Sequence, residues 1–536
     1  MKKAKRFLAM TLCLAMALAL VACGGGSSST PSTSGNSSTP SVGADTSYVP
    51  PEEGAKYEET VYSAYQADLM SPAPYDSGEA VVSFFTNMTF RTATFNNPDT
   101  GELEGILAEK WEDVNGDGKT WDITLKPGVK FHDGSELTAE DLKFTWEYAG
   151  IGTGNTTKTI STYASVDSIE VVDKLVCRFN LKAAMFDFPT YLDQKMLSKS
   201  AYDKLGADKF GSIGCGPYYF DETLTQSGVQ FGATRFEDYF EGTDNYPTKH
   251  IVFKVIPDAS TMVASLQAGE IDFILNVSTA NALLLQGDSN IQVWERSGAN
   301  SYFMGFNYRK DTWKNPELRK ALAMAIDKQA IIDGNFDGFG AAISDNFCAP
   351  TGAGYTEVPV YKYDPEAAQA LLKANNAEGM TIKILSNPTQ KTNCEIIQAY
   401  LGQVGITAEI IPVESTSWAE NLKNGDYDIF CNYCAYQGAL LYNFQRFFYT
   451  GGSSNTFTHD NAEWNALYDA AANATSYDEM VAKFQDLQKY HAENQVIVPL
   501  AIAKFLAASQ KDVQGIQLAP TTNWNDFSTV YIPARG

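Results

Sequence analysis

The stretch of sequence that decides the fold is LAEKWEDVNGDGKTWDITLKPGVKFHDGSELTAEDLKFTW, residues 107–146. Apolar and polar side chains alternate over Trp121–Leu125, which is typical of a half-buried strand. The Gly-rich run at 115–118 predicts a tight turn before that strand. Thr138 is followed within three positions by two carboxylates, an order favoured at the start of a helix. The stretch therefore predicts a strand hairpin followed by a helix.

Residues 113–118, DVNGDG, imitate the opening of a calcium-binding EF-hand loop. That loop requires a bidentate Glu at its twelfth position, and the residue there is Thr124, inside the predicted strand. The chain has only four His, and no two of them stand at the spacing of metal ligands. We therefore expect a hairpin turn at 113–118, no metal site and no cofactor.

Further along the chain, strand-like segments alternate with helical ones. The segments at 381–385, 406–413 and 427–430 read as strands, and apolar residues at helical spacing lie between them. Strands alternating with helices through short connections favour a mainly parallel sheet. This part of the chain is therefore predicted to be an α/β lobe.

A core-facing helix is predicted earlier in that lobe. Asn315 and Pro316 form a helix start, and apolar residues recur at helical spacing as far as Ile326. Gly334 stands where a C-terminal cap would fall. These residues predict one helix from Asn315 to Gly334.

The amino-terminal segment has the pattern of a secretion signal. A basic start is followed by an uncharged run, Phe7–Ala22, whose 16 residues are fewer than the roughly 20 that span a bilayer. The sequence Leu20–Cys23 resembles the lipobox of bacterial lipoproteins, which implies that Cys23 is lipidated and becomes the mature N-terminus. We expect a signal peptide at 1–22 and a flexible Gly/Ser/Thr/Pro tether at 23–50. The protein is then exported and held at the outer face of the cell membrane.

Composition describes a globular, acidic protein. The 536 residues include 40 Lys and Arg against 64 Asp and Glu, a formal net charge of −24, and 44% are hydrophobic. A chain of this length is expected to form more than one domain. Because phosphate binding depends on clustered Lys and Arg, nucleic acid is not an expected partner.

Cys431 and Cys434 form a C-x-x-C motif directly after the strand-like segment at 427–430. Residues three apart in a strand point to opposite faces, which is unfavourable for joint chelation. We therefore expect structural or free thiols at these positions, with a redox or metal role as the alternative.

The quoted stretch 107–146 closely resembles the signature of the family 5 extracellular solute-binding proteins, the oligopeptide, dipeptide and nickel receptors of ABC importers. The resemblance runs from about residue 78 almost to the C-terminus. Further motifs match in the expected order, namely Gly214–Tyr218, Ala268–Asp272, Phe306–Asn307, Leu318–Asp327, Tyr363–Pro365, Val404–Ile406, Gly425–Asp428 and the helix near Tyr477–Ala492 leading into Pro499–Leu500.

The resemblance implies an α/β, periplasmic-binding-protein-like fold of type II, with two lobes, an extra subdomain, mixed sheets flanked by helices and a hinge. It places a first lobe at 78–305, with an inserted subdomain at about 96–206. A second α/β lobe follows at 306–494, and residues 495–536 return to the first lobe. We expect a monomer whose lobes close around a ligand.

The implied function is that of a membrane-anchored receptor that captures peptides or a related small solute for an ABC permease and ATPase, without enzymatic chemistry. Asn307 matches a family position near the ligand backbone. Trp418, Tyr433 and Tyr436 are aromatic residues near the strand ends of the second lobe, where α/β sheets bind ligands. Core packing is the alternative role of each. Arg319 is expected on the helix surface or in a salt bridge between lobes.

One departure from the family pattern bears on the ligand. Many peptide-binding members carry an Asp in the region that matches Tyr433–Leu440, where it pairs with the peptide amino terminus. This chain has no acid there. Since burial of an unpaired ammonium costs several kcal/mol, either another carboxylate substitutes or the ligand has no free amino terminus.

Other functions stay open at this stage. Within the family, the ligand of such a receptor can be a nickel chelate or an oligosaccharide. A surface hydrolase is a second alternative, although the chain has no G-x-S-x-G, no H-E-x-x-H and no evident Cys/His pair. A sensor or scaffold that uses the same fold without transport is a third.

Overall fold

The computed structural model describes residues 49–52, 54–76, 79–97, 100–151, 161–350, 352–435, 440–519 and 525–535. The predicted signal peptide, Cys23 and nearly all of the tether lie outside these residues. Within the described ranges, no helix has both the length and the apolar character needed to cross a membrane.

The strands of the described residues are β1 (Thr60–Tyr65), β2 (Thr94–Asn96), β3 (Leu103–Gly105), β4 (Ala108–Asp113), β5 (Thr120–Leu125), β6 (Val166–Asp173), β7 (Val176–Leu181), β8 (Tyr218–Phe220), β9 (Gln230–Arg235), β10 (His250–Val255), β11 (Phe273–Leu275), β12 (Ile291–Phe306), β13 (Ala341–Ile343), β14 (Thr381–Ser386), β15 (Thr407–Pro412), β16 (Ile429–Ala435) and β17 (Val498–Gln510). The helices are α1 (Ala80–Thr89), α2 (Ala139–Ile151), α3 (Lys199–Leu205), α4 (Ala259–Gln267), α5 (Thr279–Leu285), α6 (Pro316–Ala325), α7 (Lys328–Asn335), α8 (Pro365–Ala374), α9 (Lys391–Gln403), α10 (Trp418–Asn424), α11 (Tyr442–Phe448), α12 (Ala462–Ala472) and α13 (Tyr477–Glu493).

One mixed sheet runs through the protein in the order β15-β14-β16-β12-β17-β11-β1-β10-β9-β8, with β13 added to β17. Its two central strands, β12 and β17, are long and antiparallel, and their pairing extends from Ile291 opposite Gln510 to Met304 opposite Val498. We call the side with β14, β15 and β16 the second lobe, and the side with β1 and β8 to β11 the first lobe. The crossing strands β12 and β17 belong to both lobes, and the boundaries at 305/306 and 494/495 stay predictions.

The second lobe has the predicted α/β arrangement. Strand β14 is parallel to both β15 and β16, and helices α9 and α10 lie between these strands in the chain. Its core is strongly aromatic: Phe303, Phe347 and Phe430 are at most 1% exposed. Burial of each such ring stabilises the fold by roughly 2 kcal/mol.

The single helix predicted from Asn315 to Gly334 is wrong, because the chain forms two helices there. The start is as predicted: the Asn315 side chain accepts the Glu317 N–H at the beginning of α6. The break comes at Ile326, whose backbone is extended, and the Asp327 carboxylate then caps α7 by accepting the Gln329 N–H. Gly334 therefore lies inside α7. The apolar periodicity continues across the break and conceals the second cap.

The expectation for Arg319 is also wrong. This side chain is 4% exposed, and it forms no ion pair with any described residue. Its guanidinium donates instead to the backbone carbonyls of Asn494, Gln495 and Trp313. The first two carbonyls stand at the C-terminal end of α13, where the helix dipole favours a cation. Arg319 therefore ties α6 to α13.

A separate four-stranded sheet, in the order β4-β5-β7-β6, forms the subdomain together with α2. Trp146 on α2 is fully buried against the rings of Phe179 and Phe188. The predicted hairpin turn is confirmed: the Asp113 carboxylate accepts the Gly116 N–H at 3.1 Å and the Gly118 N–H at 2.6 Å. Both oxygens of the Asp113 carboxylate, which would be a ligand in an EF-hand loop, therefore already accept hydrogen bonds from the backbone.

Candidate ligand-binding cleft

Strand direction locates a cleft between the lobes. In the second lobe, the parallel strands run toward Ala435, which lies opposite Asn300 of β12. In the first lobe, β11 is parallel to β1 and runs toward Leu275, which lies opposite Ala507 of β17. Asn300 itself pairs with Ala503, so both sets of carboxyl ends approach the middle of the crossing strands from opposite sides. The carboxyl ends of parallel strands are where α/β sheets bind ligands.

The crossing strands are irregular at that same place. The register between β12 and β17 shifts between Ser297 and Asn300, and it shifts again between Tyr302 and Phe303. Such bulges interrupt the ladder and allow a strand to bend. The connection between the lobes is therefore regular at both ends and irregular beside the cleft.

Tyr433 presents an aromatic surface at the second-lobe side of the cleft. It is 45% exposed and lies directly opposite Tyr302 in the sheet. The two rings stack with centroids 5.3 Å apart and an interplanar angle of 24°. Burial, and secondarily the neighbouring Tyr433, raises the pKa of Tyr302. The pair forms a platform on which an apolar or aromatic group of a ligand could pack.

Trp418 and Tyr436 are the other aromatic residues predicted to contact the ligand. Trp418 begins α10 after the carboxyl end of β15, but its half-buried ring packs against the second-lobe core, 6.4 Å from the Phe430 ring. Tyr436 lies outside the described residues.

Asn307 lies at the other end of β12 from Tyr433. It follows Phe306, which is opposite Ile429, the first residue of β16, whereas Tyr433 stands near the last. Its side chain is 2% exposed and donates to the Tyr427 carbonyl at 2.8 Å. The structure therefore does not bring Asn307 together with Tyr433, and the Asn307 amide is already engaged within the lobe.

We assign the surface of the subdomain next to the second lobe as a second wall of the candidate cleft, and it contains residues that the sequence analysis missed. The loop after β7 extends from the subdomain to the second lobe, and Phe186 packs against the second-lobe core. The next residue, Asp187, is only 6% exposed. Tyr468 on α12 and Tyr477 on α13 lie within electrostatic range of its carboxylate. The sequence signal that could have found it is one acid within the aromatic run FDFPTY, residues 186–191.

A cluster of charged side chains, Asp193, Lys195, Arg91 and Asp526, continues from this loop into the first lobe. Asp193 has an exposed side chain, yet desolvation raises its pKa, because protein surrounds it on most sides. Desolvation and, secondarily, the nearby Arg91 lower the pKa of Lys195 to about 8. Arg91 pairs with Asp526 at 3.0 Å. Asp193 is therefore exposed to solvent, while the surrounding protein still desolvates both Asp193 and Lys195.

The cysteines of the C-x-x-C motif point to opposite faces of β16, as predicted. Cys431 interacts with Cys394 of α9, whereas the Cys434 thiol accepts from the Arg446 guanidinium at 3.3 Å. Both are free, buried thiols. Burial raises the pKa of Cys434 despite the adjacent cation. Among the described residues, no group of three His, Cys, Asp or Glu side chains could hold a metal ion.

Comparisons with known proteins place this geometry in context. The family described as bacterial extracellular solute-binding proteins, family 5 Middle, matches residues 102–456. The heme-binding protein A of Haemophilus influenzae is 27% identical over 509 residues, covering 86% of this chain and 90% of that protein. The oligopeptide-binding protein AppA of Bacillus subtilis is 28% identical over 460 residues, covering 80% of each. The structure of HbpA2 from Haemophilus parasuis superposes with a TM-score of 0.78 at 23% identity, covering 88% of this chain and 99% of that one.

Proposed function

The chain belongs to the bacterial extracellular solute-binding proteins of family 5, and we propose that it is the lipid-anchored receptor of an ABC importer that captures peptides. It has the two-lobed fold of the periplasmic binding proteins. The observation that carries the proposal is the convergence of the carboxyl ends of both lobes on two crossing strands that are irregular at that point. A guest held there contacts both lobes at once.

Closure of the lobes provides the binding mechanism. A ligand that touches both walls favours the closed arrangement by its preferential affinity for that state. The bulge between Ser297 and Asn300 is the proposed hinge, since it is where the crossing strands can bend. No bond in the ligand has to break or form, and the ligand leaves the cleft unaltered.

The proposed contacts divide into two groups. Tyr433, supported by Tyr302, and Tyr436 would pack on ligand side chains, with Trp418 closing the edge of that surface. Asn307 would act from a distance, because its amide holds the Tyr427 carbonyl just before β16 begins. It would fix the strand that carries Tyr433 without meeting the ligand.

Delivery to a permease depends on the amino-terminal segment. Lipid on Cys23 would keep the protein at the outer membrane face, and the tether would let it reach an adjacent permease at high effective concentration. Export is in keeping with a family of extracellular proteins. Processing at Cys23 is checked by intact mass and by membrane fractionation of a Cys23→Ser variant, which should be released.

A peptide is the proposed ligand because one of the relatives is an oligopeptide-binding protein and because the cleft combines aromatic surface with groups of both charges. Mass spectrometry of the small molecules that co-purify with the gently prepared protein tests this choice. Recovery of intact peptides supports it. Recovery of heme, a metal chelate or a sugar, or a product chemically changed by the protein, contradicts it.

A further inference from the structure

The Asp187 carboxylate is buried at the seam between the subdomain and the second lobe without a cation to balance it. Its side chain is 6% exposed, and no Lys, Arg or His nitrogen among the described residues lies within ion-pair distance. Its backbone carbonyl, by contrast, is satisfied by the N–H and hydroxyl of Thr190. Burial of an unpaired carboxylate is costly, so such a group usually has a partner that completes the site.

Tyrosines surround this carboxylate from both sides of the seam. The Tyr191 hydroxyl is hydrogen-bonded to it from the subdomain. Tyr468 and Tyr477 approach it from the second lobe. Desolvation raises the pKa of Asp187 to about 6, while hydrogen bonds from its own backbone and from Tyr191 act in the opposite direction. Tyrosine rings beside a carboxylate make a favourable environment for an organic cation.

A second carboxylate, Asp193, lies within electrostatic range of Tyr191, as Asp187 does. Asp193 is exposed, and the described residues provide it with one side-chain donor, Gln194, at 2.8 Å. The nearest cation, on Lys195, is directed to the Asn87 side-chain oxygen. Asp193 therefore remains available to a group that enters from solvent.

We propose that the carboxylates of Asp187 and Asp193, both near Tyr191, bind the ammonium group of the ligand. This proposal rests on the proposed function, in which a peptide is held between the lobes. It assigns the wall that binds the amino terminus of that peptide. It also accounts for the stretch Tyr433–Leu440, which has no acid. The neutralising charge comes from the subdomain wall, opposite the one where the family pattern places it.

The test uses the full mature chain and alanine peptides of two to six residues, each with a free and with an acetylated amino terminus. Dissociation constants are measured by calorimetry for wild type, Asp187→Asn and Asp193→Asn. Asp208→Asn is the matched control, since that aspartate is exposed just after the subdomain. Wild type should bind the free peptides roughly 10- to 100-fold more tightly than the acetylated ones, the range expected for hydrogen bonds to a charged group. Both site variants should lose that preference, and the control should keep it.

The outcomes separate the two proposals. If wild type binds free and acetylated peptides equally, or if both variants keep the preference, the ammonium site is wrong while peptide capture stands. If wild type binds neither set, peptide capture is wrong and the ammonium site falls with it. Binding of acetylated peptides at wild-type strength shows that a variant is folded. Should Asp187→Asn not fold, the wild-type preference and Asp193→Asn decide the question.

Discussion

The two walls of the cleft differ in chemistry. The second-lobe wall is aromatic, with Tyr433 stacked on Tyr302. The wall formed by the subdomain and first lobe is charged, with Asp187 and Asp193 beside Lys195. Aromatic surface tolerates many side chains, whereas a buried carboxylate accepts few partners. The comparison teaches that one wall can admit varied ligands while the other fixes their orientation by charge.

The largest expected effect is a loss of stability at Asn307, which supports the aromatic wall without contacting the ligand. Asn307→Ala should lower the free energy of unfolding by about 2 kcal/mol, because the buried Tyr427 carbonyl loses its donor. Peptide affinity of the folded variant should stay within a factor of two of wild type. Urea denaturation followed by circular dichroism, and calorimetry of binding, provide the two numbers. Lost affinity at unchanged stability would make Asn307 a ligand contact after all.

Tyr433→Ala should have the opposite effects, with weaker peptide binding and nearly unchanged stability. Its ring is 45% exposed, so little stability is lost, but removal of the platform should weaken peptide binding about tenfold. Tyr363→Ala is the control, since that tyrosine is 39% exposed on the same lobe and contacts Tyr400. Equal affinities for the two variants would remove the aromatic wall from the site.

The charged wall should make binding depend on pH. The titratable groups near Asp187 are Tyr191, Tyr468 and Tyr477, and Asp193 lies within electrostatic range of Tyr191. Its pKa near 6 without ligand means that an incoming ammonium must displace a proton at low pH. Affinity should therefore be complete above pH 7 and fall roughly fourfold by pH 5.5.

Calorimetry of a free-amino alanine peptide across this pH range measures the dependence. Asp187→Asn should flatten the profile. An affinity that rises as the pH falls would mean that the seam closes around a protonated Asp187, with no cation from the ligand.

The smallest effect concerns the crossing strands that join the walls. Lys504 and Glu295 form an ion pair across β12 and β17 at 3.1 Å, and both side chains are 24% exposed. Lys504→Met should change the free energy of unfolding by only about 0.5 kcal/mol, as is usual for accessible pairs. A loss above about 2 kcal/mol would show that this pair, and not the backbone ladder, holds the strands together.

Local patterns were enough to predict much of the fold. The alternation at Trp121–Leu125 and the turn at 113–118 are fixed by nearby residues, and both are confirmed. The helix break at Ile326 was missed, because apolar spacing continues through it and only the Asp327 cap marks the new start. The Arg319 error has a different cause: its acceptors at Asn494 and Gln495 are distant in sequence.

The candidate site was less predictable for the same reason. Tyr433 could be placed near a strand end from its own segment. Asn307 could not, since the end of the sheet on which it lies depends on the antiparallel pairing of β12 with β16. Asp187 meets Tyr468 and Tyr477 only after two separate parts of the chain fold against each other. The residues of the FDFPTY run alone therefore could not predict the proximity of Asp187 to these two tyrosines.

A crystal structure of the protein with its co-purified ligand tests the central claim most directly. An intact peptide is expected between the carboxyl ends of the two lobes, with its ammonium group within hydrogen-bond distance of Asp187 or Asp193 and a side chain against Tyr433. A ligand bound outside the cleft, or a chemically altered one inside it, would contradict the account.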